Sequence, residues 1–419
     1  MEPLSRITRR GLGLFGLSAL AAVASSRFGH AEETASGERG MSLIVLWLQG
    51  GPSQLETFDP KPGLPIGGPT RAIPTSVSGL SIAHHLPQIA EQMRHLALIR
   101  SVVGEEGDHE RASILLKTGR RPEVALTHPS LGAVAAEELP GGDLEIPRYV
   151  SILGRDRASR GGFLGQRYDP FVIGDPQYPI QDVIAPVAAE RQARRLDALA
   201  ALERGFGERH PGVAEHTLHP ERTAQAVRTM TSPQLAAFAL DDEPSELRRA
   251  YGDNPFGRGC LVARRLVEVG VRCVEVNLGG WDTHIDHFDA IGGLTSTLDA
   301  AFASLVTDLR DKGLWDRCVV LCGGEFGRTP KINGTDGRDH WPKGFSLVLG
   351  GGPIAPGRVL GETGLDATAG PKQPVPIADV YATLLAALGL DPETENLTKV
   401  GRPVKLGDGS PLAALLAST

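Results

Sequence analysis

Two apolar, strand-like runs in this chain each break into glycine and then into carboxylate and imidazole side chains. No other feature restricts the fold as much. One run reads Val274-Glu275-Val276-Asn277-Leu278-Gly279-Gly280-Trp281-Asp282-Thr283-His284. The other reads Val319-Val320-Leu321-Cys322-Gly323-Gly324-Glu325-Phe326-Gly327-Arg328-Thr329-Pro330, followed by Gly337-Arg338-Asp339-His340-Trp341-Pro342. A short β-branched run bounded by glycine packs as a buried strand, and α/β proteins present their chemistry at the carboxyl ends of such strands. One strand end thus offers Asp282 and His284, and the other Glu325, Asp339 and His340. That mixture suits a divalent metal, zinc first, with calcium or magnesium as alternatives.

The rest of the chain keeps an α/β rhythm. Strands are expected at Ser42–Leu48, Leu96–Val103, Tyr149–Leu153, Arg272–Asn277, Cys318–Cys322 and Phe345–Leu349. Helices are expected at Glu110–Lys117, Ser130–Glu138, Gly257–Val269, Leu294–Lys312 and Ile377–Leu388. Such alternation calls for a mostly parallel sheet sandwiched by helices. Residues from about 186 to 250 are rich in Arg and Ala, show helical periodicity and lack strand signals, so they read as a helical insertion. A length of 419 residues allows one large α/β domain or two smaller ones.

The opening residues carry an address rather than a fold. Thr8-Arg9-Arg10-Gly11-Leu12 precedes an uncharged run from Leu12 to Ser26, too short and too weakly apolar for a comfortable membrane span. The arginine pair resembles a twin-arginine export signal, and Gly29-His30-Ala31 places small residues for cleavage before Glu32. Residues 1–31 are therefore expected to be a signal peptide, and residues 32–419 the folded protein, exported to the periplasm or beyond. Cys260, Cys273, Cys318 and Cys322 lie in or beside apolar runs with no CxxC pair, which points to core packing rather than a disulfide framework. A net charge of -7 without a basic stripe argues against nucleic acid as a partner. The membrane enters only in export.

Further motifs carry a family resemblance. They are Gly50-Gly51-Pro52-Ser53-Gln54-Leu55-Glu56-Thr57-Phe58-Asp59-Pro60-Lys61-Pro62, Leu115-Leu116-Lys117-Thr118-Gly119-Arg120-Arg121-Pro122, Gly162-Phe163-Leu164-Gly165 and Tyr168-Asp169-Pro170-Phe171. With the two strand ends, they make the chain similar to the exported bacterial family called domain of unknown function 1501. That family is grouped with the alkaline phosphatase and sulfatase superfamily. The resemblance implies an alkaline phosphatase-like fold over residues 32–419.

It also implies roles. Sulfatases carry a catalytic cysteine or serine ahead of a Thr-Gly-Arg motif, and the matching position here is His109, at the start of a helix. His109 is then a metal ligand or general base, or else the nucleophile. The helix N-terminus would favour a neutral imidazole there. The superfamily places a ligand aspartate at the end of its first strand; here only Gln49 stands there. Glu56 and Asp59 follow as substitutes, or Asp59-Pro60 is simply a turn. Asp282, His284 and His340 resemble metal ligands, with His287 a rival to His284, and Glu325 sits where the superfamily has an Asp-His pair. Asp339 either joins them or orients His340. Arg328 and Lys331 either face an anionic substrate or lie on a solvated loop. Trp281, Phe326 and Trp341 are expected in the site walls, and His84, His85, His128, His210, His216 and His219 at the surface.

Two functions follow. One is an exported metal-dependent hydrolase of phosphate or sulfate esters acting on an anionic small molecule or glycan, with His109, Glu325 and Arg328 as catalytic residues. The other is a non-catalytic exported binding protein that keeps the fold. Sulfatase activity proper is disfavoured, because no cysteine or serine occupies the position of His109.

Overall fold

Strand Ser42–Leu48 is buried along its whole length, and every layer of the molecule is laid against it. A computed structural model describes residues 40–417 except 155–157, 215, 216, 218, 365–369 and 399. The expected signal segment, with Arg9 and Arg10, and His216 lie outside the described residues.

The main sheet is built from β1 (Ser42–Leu48), β2 (Leu96–Val103), β3 (Tyr149–Ile152), β4 (Phe171–Ile173), β5 (Cys273–Leu278), β6 (Cys318–Gly323), β7 (Phe345–Gly350), β8 (Val359–Leu360) and β9 (Val375–Pro376). Their spatial order is β8-β2-β7-β6-β1-β5-β3-β4, with β9 also paired to β2. β1 runs parallel to β5 on one side and β6 on the other, with Leu46 level with both Val276 and Cys322. β7 is the one reversal, antiparallel to both β2 and β6, so the sheet is mixed rather than uniformly parallel.

Alternation along β1 divides the core in two, as the twofold period of a strand requires. Ile44, Leu46 and Leu48 point to one face, and Leu43, Val45 and Trp47 to the other. α1 (His109–Thr118), α2 (Leu131–Glu138), α3 (Ala189–Arg209), α4 (His219–Thr231), α5 (Pro255–Val269), α6 (His287–Asp311) and α7 (Ile377–Ala387) follow in chain order. α5 and α6 cover the first face, and α1, α2 and α7 the second. The four cysteines are free and buried in these layers, as their apolar surroundings implied.

Two expectations need correction here. α6 opens at His287, not Leu294: Gly292-Gly293 reads as a break, yet Ile291 is buried and tertiary packing carries the helix through it. Helices do form within residues 186–250; of these, α3 buries none of its residues and α4 only Thr229. His128 is not at the surface: it is buried, 3.2 Å from Glu123 and edge-on to Phe163.

Candidate metal centre

The end of β1 supplies no carboxylate; it supplies bare backbone. Gly50 has φ +116° and a side chain there would meet the amide nitrogen of Asp282 at 2.5 Å, while Gly51 (φ +82°) lies against the Phe326 ring. Without glycines the loops after β5 and β6 could not close on β1. The exposed backbone is then used. Gly50 N–H donates to Glu325 Oε1 (3.0 Å), and Arg328 donates from Nε to the Gly51 carbonyl (2.9 Å) and from Nη2 to the Gly50 carbonyl.

α1 brings the next group. Asp108 caps it by accepting from the Arg111 amide at 3.1 Å, which fixes His109 as the first helical residue. The His109 ring lies over Phe326, and its Nδ1 is 2.6 Å from Glu325 Oε1. Asp282, at the end of the β5 loop, stands 3.3 Å from His109 Nε2 through Oδ2. Its Oδ1 lies 3.0 Å from His284 Nε2 and 3.2 Å from His340 Nε2. His109, Asp282 and His340 each point a ligand atom into one volume, all within 4.8 Å of one another.

Hydrogen bonding fixes which nitrogen of each ring faces that volume. His340 Nδ1 is 2.7 Å from the Gly107 carbonyl, His284 Nδ1 is 2.8 Å from Asp339 Oδ1, and His109 Nδ1 faces Glu325. Carbonyls and carboxylates only accept, so each Nδ1 carries a proton, and a ring that holds no second proton turns a bare Nε2 inward. In that form three lone pairs converge on a carboxylate, with His284 and His340 Nε2 only 3.0 Å apart. Such a set repels itself unless a cation joins it, and an oxygen-anchored Nδ1–H is how metal-ligating histidines are oriented. Two buried atoms here, His109 Nε2 and Glu325 Oε2, have no hydrogen-bond partner among the described residues.

The charges reinforce the arrangement. Burial disfavours the Asp282 carboxylate, but the Arg328 hydrogen bond and charge outweigh it, helped by His340, and hold its pKa at about 2. The Glu325 hydrogen bond raises His109 above the ordinary imidazole value, against the opposing pull of burial. This reverses the expectation of a neutral ring: the paired carboxylate outweighs the helix end. Asp339 is lowered chiefly by its hydrogen bond to His284.

The other expected residues separate. His287 turns away from the centre: fully buried, it meets Thr283 Oγ1 at 2.6 Å and Glu56 Oε2 at 2.8 Å. Glu56 is equally buried and also takes the Arg338 guanidinium at 2.7 Å, so it is no ligand; His284 is the inward histidine. Asp59 is a buried ion-pair partner of Lys61 (2.8 Å), neither ligand nor bare turn. Asp339 reaches the centre through His284, not His340. Arg328 is not on a solvated loop, and its guanidinium is spent on protein oxygens. It is fully buried and 2.5 Å from Asp282 Oδ1, which it braces from below, while Lys331 is exposed. Phe326 walls the centre, its ring 4.5 Å from the His340 ring and tilted to it, and Trp281 is fully buried. Sequence reasoning missed the Gly107 carbonyl, whose only signal was its place two residues before His109.

The family described as "Protein of unknown function (DUF1501)" matches residues 41–416. This chain belongs to that family. No curated protein matches it. Among solved structures, the PsFucS1 sulfatase from Pseudoalteromonas sp. is similar at 13% identity and a TM-score of 0.40, over 92% of this chain and 72% of that one. A protein in the alkaline phosphatase superfamily from Vibrio parahaemolyticus is similar at 13% identity and a TM-score of 0.35, over 84% and 67%. The C-terminal periplasmic domain of EcEptC from Escherichia coli, in complex with Zn, is similar at 10% identity and a TM-score of 0.39, over 89% and 94%. These neighbours are members of the alkaline phosphatase and sulfatase-like superfamily.

Proposed function

We propose that the chain is an exported, metal-dependent hydrolase of phosphate or sulfate esters. One observation carries the reading: the inward Nε2 atoms of His109, His284 and His340 meet at Asp282, with each ring's outer nitrogen tied to an oxygen. A nitrogen-rich set of this kind fits zinc, with the four side chains as ligands. A bound divalent ion supplies Lewis-acid polarisation of a phosphoryl or sulfuryl oxygen.

The chain's own groups do the rest. Arg328 holds Asp282 ionised and in place, and Asp339, Glu325 and the Gly107 carbonyl hold the rings in one tautomer. Glu325 keeps one oxygen unpaired beside His109, which makes it the candidate acceptor for a proton released near that ring. With histidine in the nucleophile's position, water is the attacking group in this reading. The binding-protein alternative draws support from exposed Gln49 at the end of β1, where the superfamily has a carboxylate.

Metal-stripped protein titrated with zinc and then offered aryl phosphate and aryl sulfate esters tests the proposal. We expect one tightly held ion and ester turnover that depends on it. No bound ion after reconstitution sinks the reading, and a bound ion with no turnover selects the binding protein.

A further inference from the structure

A second cavity opens at the same end of the sheet as the metal centre, with a volume of about 810 Å³. Its walls come from the loop after β4, the 3-10 helix Pro233–Phe238, the short helix Ser245–Tyr251 and the start of α5. β4, β3 and β5 run parallel, so the loop after β4 leaves the same edge as the loop carrying Asp282. Gly259, in the second turn of α5, lies against Val276 and Ile152 near the ends of β5 and β3, which puts the start of α5 at that edge too. β4 is two strand spacings from β5, roughly 10 Å across the sheet.

The frame of the cavity is fixed. Arg258 clasps Asp175 with Nε (2.8 Å) and Nη2 (2.7 Å) and reaches Asp253 with Nη1 (2.9 Å), which ties α5 to the loop after β4. Asn254 caps α5 by accepting from Gly257 N–H at 2.9 Å. Phe238 and Leu240 are buried in its lining, while Tyr178 stands in the wall 66% exposed. With Arg258 committed, two cations are left. Arg248 is exposed with no acceptor among the described residues, and Arg249 spends only Nε, on the Ser245 carbonyl at 3.2 Å. The size is that of a small-molecule pocket.

We infer that this cavity binds an anionic saccharide, with Arg248 and Arg249 on its sulfate or carboxylate and Tyr178 against the apolar face of the ring. Guanidinium forks match either oxyanion in two-point contact, and an exposed aromatic ring offers stacking area at low entropic cost. The inference deepens the ester-hydrolase reading, on which its role as a holding point for a larger substrate depends; the binding itself does not need the metal centre.

The test is calorimetric titration with a heparin-type disaccharide bearing uronate and sulfate, and with neutral cellobiose. It is run on the wild-type chain, on Arg248→Ala/Arg249→Ala, and on His109→Ala/His340→Ala, which disables the metal centre. We expect the charged disaccharide to bind wild type at least about tenfold more tightly than cellobiose, the arginine variant to lose that margin, and the histidine variant to keep it. Equal binding of both sugars, no binding of either, an unaffected arginine variant, or loss in the histidine variant would each overturn the assignment. The last outcome would place the sugar at the metal centre instead.

Discussion

Gly50 and the three inward histidines show how few atoms decide this centre. An alanine at 50 would meet the Asp282 amide at 2.5 Å from a backbone at φ +116°. Gly50→Ala should therefore cost about 1–3 kcal/mol of stability and weaken zinc binding as Asp282 is displaced, measurable by urea denaturation and zinc titration. Single substitutions His109→Ala, His340→Ala or Asp282→Asn should abolish stoichiometric zinc in elemental analysis. Above the raised His109 value, where its charge pairing with Glu325 is gone, the metal-stripped melting temperature of His109→Ala and His340→Ala should hardly change, because these side chains stand at the rim and not in the core; a large fall there would mark them as structural. The pH dependence should run in opposite directions with and without metal. His109 is raised above its usual value by Glu325, so in metal-free protein that pair contributes fully below the unfolded imidazole value of about 6.5 and is lost as pH rises through the raised value. Metal binding needs the unprotonated ring, so zinc affinity should climb over the same interval. Melting curves of both forms between pH 5 and 9 would show it, and parallel curves would refute it.

At the scale of elements, the two ligand-bearing loops are held together by a buried ion cluster. Glu56 receives Arg338 from the loop after β6 and His287 from the start of α6, and all three side chains are fully buried. The Arg338 amide also donates to the Thr283 carbonyl at 3.1 Å, between Asp282 and His284. Burial works against the Glu56 charge, but the His287 hydrogen bond and the Arg338 charge keep its pKa lowered. Glu56→Ala would strand a buried guanidinium, at a cost of about 3–5 kcal/mol in denaturant unfolding; a loss under 1 kcal/mol would mean the loops hold themselves. This cluster also marks what the sequence could reveal. The strands were legible because β-branched runs bounded by glycine have few alternatives, and β1 and β2 begin and end where that pattern does. Asp282, His284, Glu325 and His340 were legible because they cluster at strand ends. The partners of Glu56, Asp59 and Arg328 were not, since each is set by which distant loop folds over it, and spacing along the chain carries no trace of that. The start of α6 was missed because local propensity at Gly292-Gly293 loses to burial.

Across the whole molecule, the mixed sheet explains why one chain can carry both the candidate metal centre and a separate cavity: both open at the carboxyl ends of its parallel strands. The proposed export would bear on how that chain reaches its working place. Replacing Arg9 and Arg10 by lysine should leave full-length precursor in the cytoplasm, detected by fractionation and blotting, whereas unchanged export would point to another route. The sheet order adds a constraint of timing. β1 is made early, yet its partners begin at Cys273 and Cys318. During synthesis this strand, apolar but for Ser42, has nothing to pair with until Cys273 and the residues after it have emerged. Its edges stay open for that interval, as templates for any other unpaired strand. Closure over so long a stretch of chain makes the final step slow and independent of local helix formation. We expect β1 to need shelter from other chains during that wait.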